Sequence, residues 1–143
     1  MFVKAILDNK DSNVATVAPN ADVATAVKLL AEHRIGALVI VDPSRAVAGI
    51  ISERDVIRVL AEHGAAALTL PVEQVMTRKV VTCTRAETVS GIMEMMTAGK
   101  FRHLPVVEDG RLVGIISIGD VVKHRVQQIE AEAATLRDYI RSA

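Results

Sequence analysis

The sequence predicts a mixed α/β (α+β) fold in which two pseudosymmetric βαββα repeats pack as one module, with a helix added at the C-terminus. The first observation is a duplication, because the segment that starts at Ala15 recurs 66 residues later at Val81. The second is the octapeptide GIISERDV at 49–56, which recurs as GIISIGDV at 114–121 with six identical residues. The third is a change, inside each copy, from helical spacing of apolar residues to short apolar runs typical of strands.

Composition limits the class of protein. The chain has 143 residues, of which 50% are hydrophobic, which fits one ordinary domain or two very small ones. Basic and acidic residues number 17 each, which argues against a protein that binds nucleic acid by neutralising phosphates. One cysteine permits no internal disulfide and indicates a reducing compartment. No apolar run approaches the roughly 18 residues of a membrane span. We expect a soluble cytoplasmic protein without a nucleic-acid or membrane partner.

The elements follow in the same order in both copies. Asp22 and Thr88 are positioned to cap helices whose apolar residues recur at helical spacing. Two apolar runs come next, 37–41 and 47–51 in the first copy and 104–107 and 112–116 in the second. The second pair is joined by Asp109-Gly110, a turn typical of β-hairpins. Another helix then begins at Ser52 and ends near Gly64, and its counterpart begins at Ser117.

These elements divide the chain into four segments. Residues 1–64 hold the first repeat, 65–79 a linker with one helical turn in PVEQVM, 80–125 the second repeat and 126–143 a C-terminal helix. A unit of about 60 residues buries too little surface alone, so we expect one hairpin face to pack on the other and to leave two equivalent clefts.

The C-terminal helix carries a heptad seam. The seam residues are Val126, Ile129, Ala133, Leu136 and Ile140. About two heptads are too short to be stable alone, so the helix either lies on its own module or pairs with a second subunit.

Taken together, these residues resemble a tandem pair of cystathionine β-synthase (CBS) domains, a Bateman module, of the stand-alone bacterial type. The resemblance rests on the order of elements and on VMTRKVVTC, FRHLPVVEDGRLVGIISIGD and GIISERD, and it covers roughly residues 1–125. It implies two clefts between the domains and a regulatory adenosyl ligand such as AMP, ADP, ATP, S-adenosylmethionine or NAD(H). It also implies a homodimer.

The duplicated Ser-x-x-Asp pairs, Ser52/Asp55 and Ser117/Asp120, stand where helices begin. One interpretation is a capping box, which stabilises a helix by about 1 kcal/mol. The other is a nucleotide site, since a helix N-terminus suits a phosphate and an ionised carboxylate accepts hydrogen bonds from two vicinal ribose hydroxyls. The residues alone favour capping, whereas the resemblance favours binding.

The resemblance implies further ligand-binding residues. Thr16 and Thr82 match positions that face the adenine in related modules, and Ile35, Gly36 and Ala37 match an apolar wall of the first cleft. Arg102 and His103 match positions that reach phosphates. Arg54 and Lys100 are additional cations. For His103 the alternative is a half-buried strand histidine, and for Arg54 and Lys100 it is a solvated surface charge. Gly49 and Gly114 are expected to let the ligand approach the backbone.

The sequence contains no set of residues typical of catalysis. The four histidines and Cys83 lack metal-ligand spacing, and Cys83 replaces Val17 of the first repeat, as a small core residue would. We therefore predict a regulatory sensor rather than an enzyme. It would be a homodimer that binds AMP, ADP, ATP or NAD(H) and signals to a regulated protein. The alternative is a structural interaction module with non-binding clefts, in which the Ser-x-x-Asp pairs only cap helices.

Overall fold

A computed structural model describes residues 1–10 and 14–142. It confirms the mixed α/β class and the duplicated order of elements. The elements are α1 (Val3–Asp8), β1 (Thr16–Val17), α2 (Val23–His33), β2 (Ala37–Val41), β3 (Val47–Ser52), α3 (Glu53–His63), a 3₁₀ helix (Gly64–Thr69), α4 (Val72–Val75), α5 (Val89–Gly99), β4 (His103–Glu108), β5 (Arg111–Ser117) and α6 (Ile118–Ser142).

The two sheets differ in their first strand. In the first repeat β1 pairs with β2 in parallel, and β2 pairs with β3 in an antiparallel hairpin. In the second repeat β4 and β5 form the hairpin, and the counterpart of β1 is reduced to a parallel bridge between Cys83 and Val106. Cys83 keeps both backbone hydrogen bonds to β4, from its N–H to Pro105 O at 3.0 Å and from Val107 N to its carbonyl at 2.8 Å. The predicted βαββα order is therefore complete in the first repeat and shortened at this strand in the second.

Helix caps and turns agree with the predicted signals. Asp22 Oδ1 accepts from Thr25 N at 2.8 Å, and Thr88 Oγ1 accepts from Gly91 N at 3.0 Å. Both residues of the Asp109-Gly110 turn have positive φ, 52° and 75°, as a type I′ hairpin turn requires. These local signals fix where the helices begin and how the second hairpin closes.

Each repeat has its own apolar core. Leu38, Ile40 and Ile51 belong to the first core, and their counterparts Leu104, Val106 and Ile116 belong to the second. The opposite face of β2 is buried as well, since Val39 is 0% exposed. A hydrogen bond of 2.9 Å from Leu112 N to Arg45 O joins the two hairpins.

Each core is completed by the short helix that precedes the other repeat. Helix α1, which the sequence analysis did not predict, places Val3 and Ile6 in the second core. Helix α4, the predicted turn in the linker, places Val72 and Val75 in the first core. The anchoring bonds are equivalent, from Val3 N to Glu87 O at 2.9 Å and from Val72 N to Ala21 O at 2.7 Å. The two repeats are therefore interlocked through their connecting segments.

Helix α6 merges the helix that follows Ser117 with the predicted C-terminal helix into one helix of 25 residues. Val121 is its only buried residue among those described, and the helix projects beyond the second core. The seam residues Val126, Ile129, Leu136 and Ile140 are 47–64% exposed, so the seam is not packed against its own module. Ala143, the last residue of the predicted segment, lies outside the described residues.

Candidate functional site

Both Ser-x-x-Asp pairs form the predicted helix caps. Ser52 Oγ accepts from Asp55 N at 3.2 Å, and Asp55 Oδ2 accepts from Ser52 N at 2.9 Å. The same reciprocal bonds join Ser117 and Asp120, at 3.1 Å and 2.9 Å. The capping interpretation is thus confirmed in each repeat. It leaves the binding interpretation open, because a carboxylate has two oxygens and accepts more than one hydrogen bond.

Each aspartate also has a cationic partner that the sequence analysis missed. Arg58 Nη2 lies 3.2 Å from Asp55 Oδ1, and Lys10 Nζ lies 2.7 Å from Asp120 Oδ2. The spacing of three residues between Asp55 and Arg58 was a usable signal, because such residues are neighbours on a helix surface. Burial acts to raise the pKa of Asp120, but the hydrogen bonds from Lys10 and from Ser117 N–H outweigh it and hold the pKa below its ordinary value.

The connection before β2 meets the first residue of β4 across the two repeats. Gly36 O accepts from Glu53 N at 3.0 Å, and Arg102 O accepts from Ile118 N at 2.8 Å, so both connections are tied to the start of the following helix. The imidazole of His103 reaches the first repeat, where a Cβ placed on Gly36 would lie 3.3 Å from His103 Cε1. A larger residue at position 36 would therefore push His103 away.

The environment of His103 favours its neutral form. Burial lowers the pKa of His103, and the positive charges of Lys10 and Arg102 act in the same direction, while Asp120 and Glu53 oppose them. His103 also sits directly opposite Ser117 in the β4–β5 pairing, as Ala37 sits opposite Ser52 in β2–β3. His103 is therefore next to one serine of the duplicated pairs and also touches the other repeat.

The other predicted ligand residues are more scattered. Ile35 packs against the first core, Thr16 lies in β1 opposite Val39, and Thr82 is exposed just before the Cys83 bridge. Arg54 and Lys100 are exposed, and Lys100 ends α5 with a φ of 56°. Within the described chain, no hydrogen bond joins the side chains of Thr16, Thr82, Arg54 or Lys100 to the duplicated Ser-x-x-Asp pairs. Their part in a ligand site stays a prediction.

The expected role of two glycines was wrong. Gly49 and Gly114 were expected to leave room for a ligand, but the space above each is filled by a side chain, from Met76 directly after α4 and from Leu7 of α1. A Cβ at Gly49 would meet Met76 Sδ, and one at Gly114 would lie 2.7 Å from Leu7 Cδ2. The glycines admit the helices α4 and α1 to the two sheets, and this packing is why Cβ atoms are missing there.

Cys83 is a core residue, as predicted. It is 3% exposed and belongs to the second core. Burial, with the nearby negative charges of Glu87 and Glu108, raises the pKa of the thiol to about 12. A thiol in this state is a poor nucleophile at neutral pH.

Two cavities differ in their relation to these residues. The larger, of about 550 Å³, lies between Met1 and the distal half of α6 and contains none of the predicted ligand residues. The smaller, of about 320 Å³, contains Asp120. Its lining residues are Ile6, Asn9, Lys10, Asp120, Lys123, His124 and Gln127. We take the smaller cavity as the candidate site because it holds a predicted binding carboxylate and falls in the size range of small-ligand pockets.

Within the described ranges 1–10 and 14–142, no group of three or more His, Cys, Asp or Glu side chains is arranged to hold a metal ion. None of the helices described is both long enough and apolar enough to cross a bilayer.

A family model described as the CBS domain matches the chain twice, at residues 3–62 and 72–127. Among curated proteins, the mitochondrial CBS domain-containing protein CBSX3 of Arabidopsis thaliana is 39% identical over 120 residues, or 81% of this chain. The match spans 58% of the length of that relative.

Solved structures give the same result. The CBS-domain protein ATU1752 from Agrobacterium tumefaciens superposes with a TM-score of 0.82 and 49% identity, covering 87% of this chain and 92% of the other. The CBS domain pair of MJ0100, in complex with 5′-methylthioadenosine and S-adenosylmethionine, superposes with a TM-score of 0.79 and 29% identity, covering 90% of this chain and 98% of the other. CBSX2 in complex with AMP superposes with a TM-score of 0.75 and 26% identity, covering 88% of this chain and 96% of the other. The chain therefore belongs to the CBS-domain family, and its two CBS domains form a tandem Bateman module.

Proposed function

We propose that this protein is a regulatory sensor whose clefts bind an adenosine-containing ligand, AMP, ADP, ATP or NAD(H), and that binding changes the activity of a partner protein. One observation carries the proposal. In both repeats a Ser-x-x-Asp pair stands at a helix N-terminus, and in the second repeat the aspartate lines a cavity of about 320 Å³. The family adds support, since two related structures contain adenosine compounds.

Each residue of the pair has a defined chemical role in this proposal. The carboxylates of Asp55 and Asp120 accept hydrogen bonds from the vicinal ribose hydroxyls, which no phosphate-only ligand can supply. The hydroxyls of Ser52 and Ser117, together with first-turn N–H groups, face the ligand phosphate. The aliphatic walls hold the adenine, because the chain has only three aromatic residues, two Phe and one Tyr.

The two clefts should differ in charge. We assign the apolar wall of the first cleft to Ile35, Gly36 and Ala37, and the phosphate contacts of the second to Arg102 and His103. The contact of His103 with Gly36 supports communication between the clefts, since a ligand that moves the imidazole must also disturb the first repeat. The proposed set of ligand-binding residues also includes Thr16 and Thr82, which face the adenine. Arg54 and Lys100 complete it as outer cations.

We propose binding without catalysis. The serine hydroxyls of both pairs accept capping hydrogen bonds, and Cys83 is buried with a raised pKa, so neither type of side chain is prepared as a nucleophile. The single buried cysteine also supports a reducing, cytoplasmic setting.

A second candidate function is a structural interaction module with non-binding clefts. It is favoured by the cationic partners, because Arg58 and Lys10 already neutralise the two aspartates. In that case the aspartates stabilise helices and nothing more.

Asparagine variants separate the two functions. Asp55→Asn and Asp120→Asn keep an acceptor oxygen for the serine N–H, so the caps survive, but they remove the charge and one acceptor for the ribose. Asp22→Asn is the control, since Asp22 is also a helix-capping aspartate outside the pairs, although it accepts from the N–H three residues later rather than three residues earlier. If the protein is a sensor, AMP raises the melting temperature of the wild type and of the Asp22→Asn control, and raises it less in Asp55→Asn and Asp120→Asn. No rise with AMP in the wild-type protein or in any variant would support the structural module, and equal rises in all of them would contradict the role proposed for the two aspartates.

We also propose a homodimer in which two α6 helices pair in parallel through the exposed seam. In this heptad frame Arg125 and Glu132 occupy g positions, and Glu130 and Arg137 occupy e positions. A parallel, in-register pair places Arg125 against the partner's Glu130 and Glu132 against the partner's Arg137, so every g–e′ contact is attractive. Arg137→Glu should weaken the dimer by sedimentation analysis, and Glu132→Arg with Arg137→Glu should restore it. A dimer that is equally stable in the wild type, the single variant and the double variant would contradict this arrangement.

A further inference from the structure

The ammonium group of Lys10 lies against the carboxylate of Asp120, the aspartate of the second Ser-x-x-Asp pair. Lys10 Nζ donates to Asp120 Oδ2 at 2.7 Å and to the carbonyl of Ile115 at 2.8 Å. The pair is only partly accessible, with the side chains of Lys10 and Asp120 30% and 23% exposed. Lys10 is thus fixed at once to β5 and to the first turn of α6.

The first cleft is built differently at the equivalent place. Lys79 follows α4 as Lys10 follows α1, but Lys79 is exposed, and Asp55 pairs instead with Arg58 of its own helix. That pair is longer, at 3.2 Å, and Arg58 is 49% exposed. The side chain of Asp55 is 13% exposed, less than that of Asp120, and Arg58 Nη2 also donates to the carbonyl of Val75 at 3.2 Å. The second carboxylate is therefore the one held by a cation from a separate segment of the chain.

This contact competes with ribose recognition. Asp120 Oδ2 already accepts from Ser117 N, and Lys10 Nζ takes a further acceptor site on the same oxygen. A vicinal diol that binds in bidentate fashion needs a free acceptor site on each carboxylate oxygen. The same ammonium lines the cavity of about 320 Å³ that contains Asp120. A diol can engage Asp120 fully only after Lys10 has moved.

We propose that Lys10 is an internal competitor for the second cleft, so that a ligand binds there only by breaking the Lys10–Asp120 ion pair. The inference rests on the proposed function, because it assumes that Asp120 recognises ribose hydroxyls. It makes Lys10 a specificity-determining residue, which lowers the affinity of the second cleft and leaves the first unaffected. The N-terminal helix, through Lys10, then sets how much ligand is needed before both clefts fill.

The test uses a neutral probe, 5′-methylthioadenosine, which has the vicinal hydroxyls but no phosphate that Lys10 could bind. Asp55→Asn serves as the background, so that calorimetry reports the second cleft. Adding Lys10→Met, which keeps an apolar stem of similar length, should tighten binding about twofold to fivefold. Adding Lys79→Met, the exposed counterpart, should leave binding unchanged. Unchanged or weaker binding in the Lys10→Met variant would overturn the proposal.

A second measurement does not depend on changing Lys10. Salt screens the ion pair but not a neutral ligand, so binding of 5′-methylthioadenosine to the Asp55→Asn background should tighten as salt rises from low to physiological concentration. Loss of binding with salt would contradict the competition. If folded wild-type protein binds neither 5′-methylthioadenosine nor any of AMP, ADP, ATP and NAD(H), the proposed function itself fails, and that result is distinct from ligand binding that is unchanged in the Lys10→Met variant.

Discussion

A methyl group should destabilise the protein more at Gly49 than at Gly114, although the two glycines are equivalent in the repeats. At Gly49 the added Cβ would meet Met76 Sδ and would lie 2.9 Å from the carbonyl oxygen of Thr77. That carbonyl accepts from Ile50 N at 3.0 Å and is part of the bridge that holds the linker to β3, so it cannot turn away. At Gly114 the nearest atom is Leu7 Cδ2 at 2.7 Å, the far end of a side chain.

The expected magnitudes follow from what each neighbour can do. Overpacking against fixed backbone costs about 1–3 kcal/mol, and the lower chain entropy of alanine offsets about 0.5 kcal/mol of it, so Gly49→Ala should lower the free energy of unfolding by about 0.5–2.5 kcal/mol. A change of rotamer at Leu7 costs roughly 0.5–1.5 kcal/mol, and the lower chain entropy of alanine offsets about 0.5 kcal/mol of it, so Gly114→Ala should lose less than about 1 kcal/mol. Urea unfolding of both variants measures the difference directly. Equal losses, or a larger loss at Gly114, would refute the packing that we assign to α4 and α1.

Three further outcomes are expected. Cys83 should not react with a thiol reagent at pH 8 in the folded protein, because its pKa is raised to about 12, and rapid reaction without unfolding would contradict its burial. Asp120→Asn should destabilise the protein more at pH 7 than at pH 3. The folded-state pKa of Asp120 is lowered, so the carboxylate contributes its full stability above the unfolded value of about 3.9 and loses it as pH falls toward and through the folded-state pKa. A stability difference that is the same at both pH values would argue against the Lys10 ion pair. Truncation after Arg125 should yield monomers in sedimentation experiments, and an unchanged dimer would exclude the α6 seam.

Local signals made most of the fold predictable. The strands, the caps at Asp22 and Thr88, and the Asp109-Gly110 turn depend on neighbouring residues, and duplication showed the signals for the strands and the caps twice. Helix α1 was missed because it has six residues and no side-chain cap, so its stability comes from packing on the second repeat. Packing contacts between distant segments are not visible in the spacing of apolar residues along the sequence.

The candidate site was predictable in its residues but not in its partners. The Ser-x-x-Asp pairs and their caps follow from spacing alone. The ion pair between Lys10 and Asp120 joins residues 110 positions apart, and only the folded chain brings them together. The side chains over Gly49 and Gly114 are a similar case, because glycine in a strand is compatible with either a ligand or a packed helix above it.

The central claim is that the clefts recognise adenosine compounds, and calorimetric titration tests it most directly. Protein freed of nucleotide would be titrated with AMP, ADP, ATP, NAD⁺, NADH and S-adenosylmethionine. The account predicts a dissociation constant near micromolar, about −8 kcal/mol, for at least one of them, and a loss of that binding in the variant that combines Asp55→Asn with Asp120→Asn. No heat of binding from any of the six, in protein shown to be folded, would contradict it.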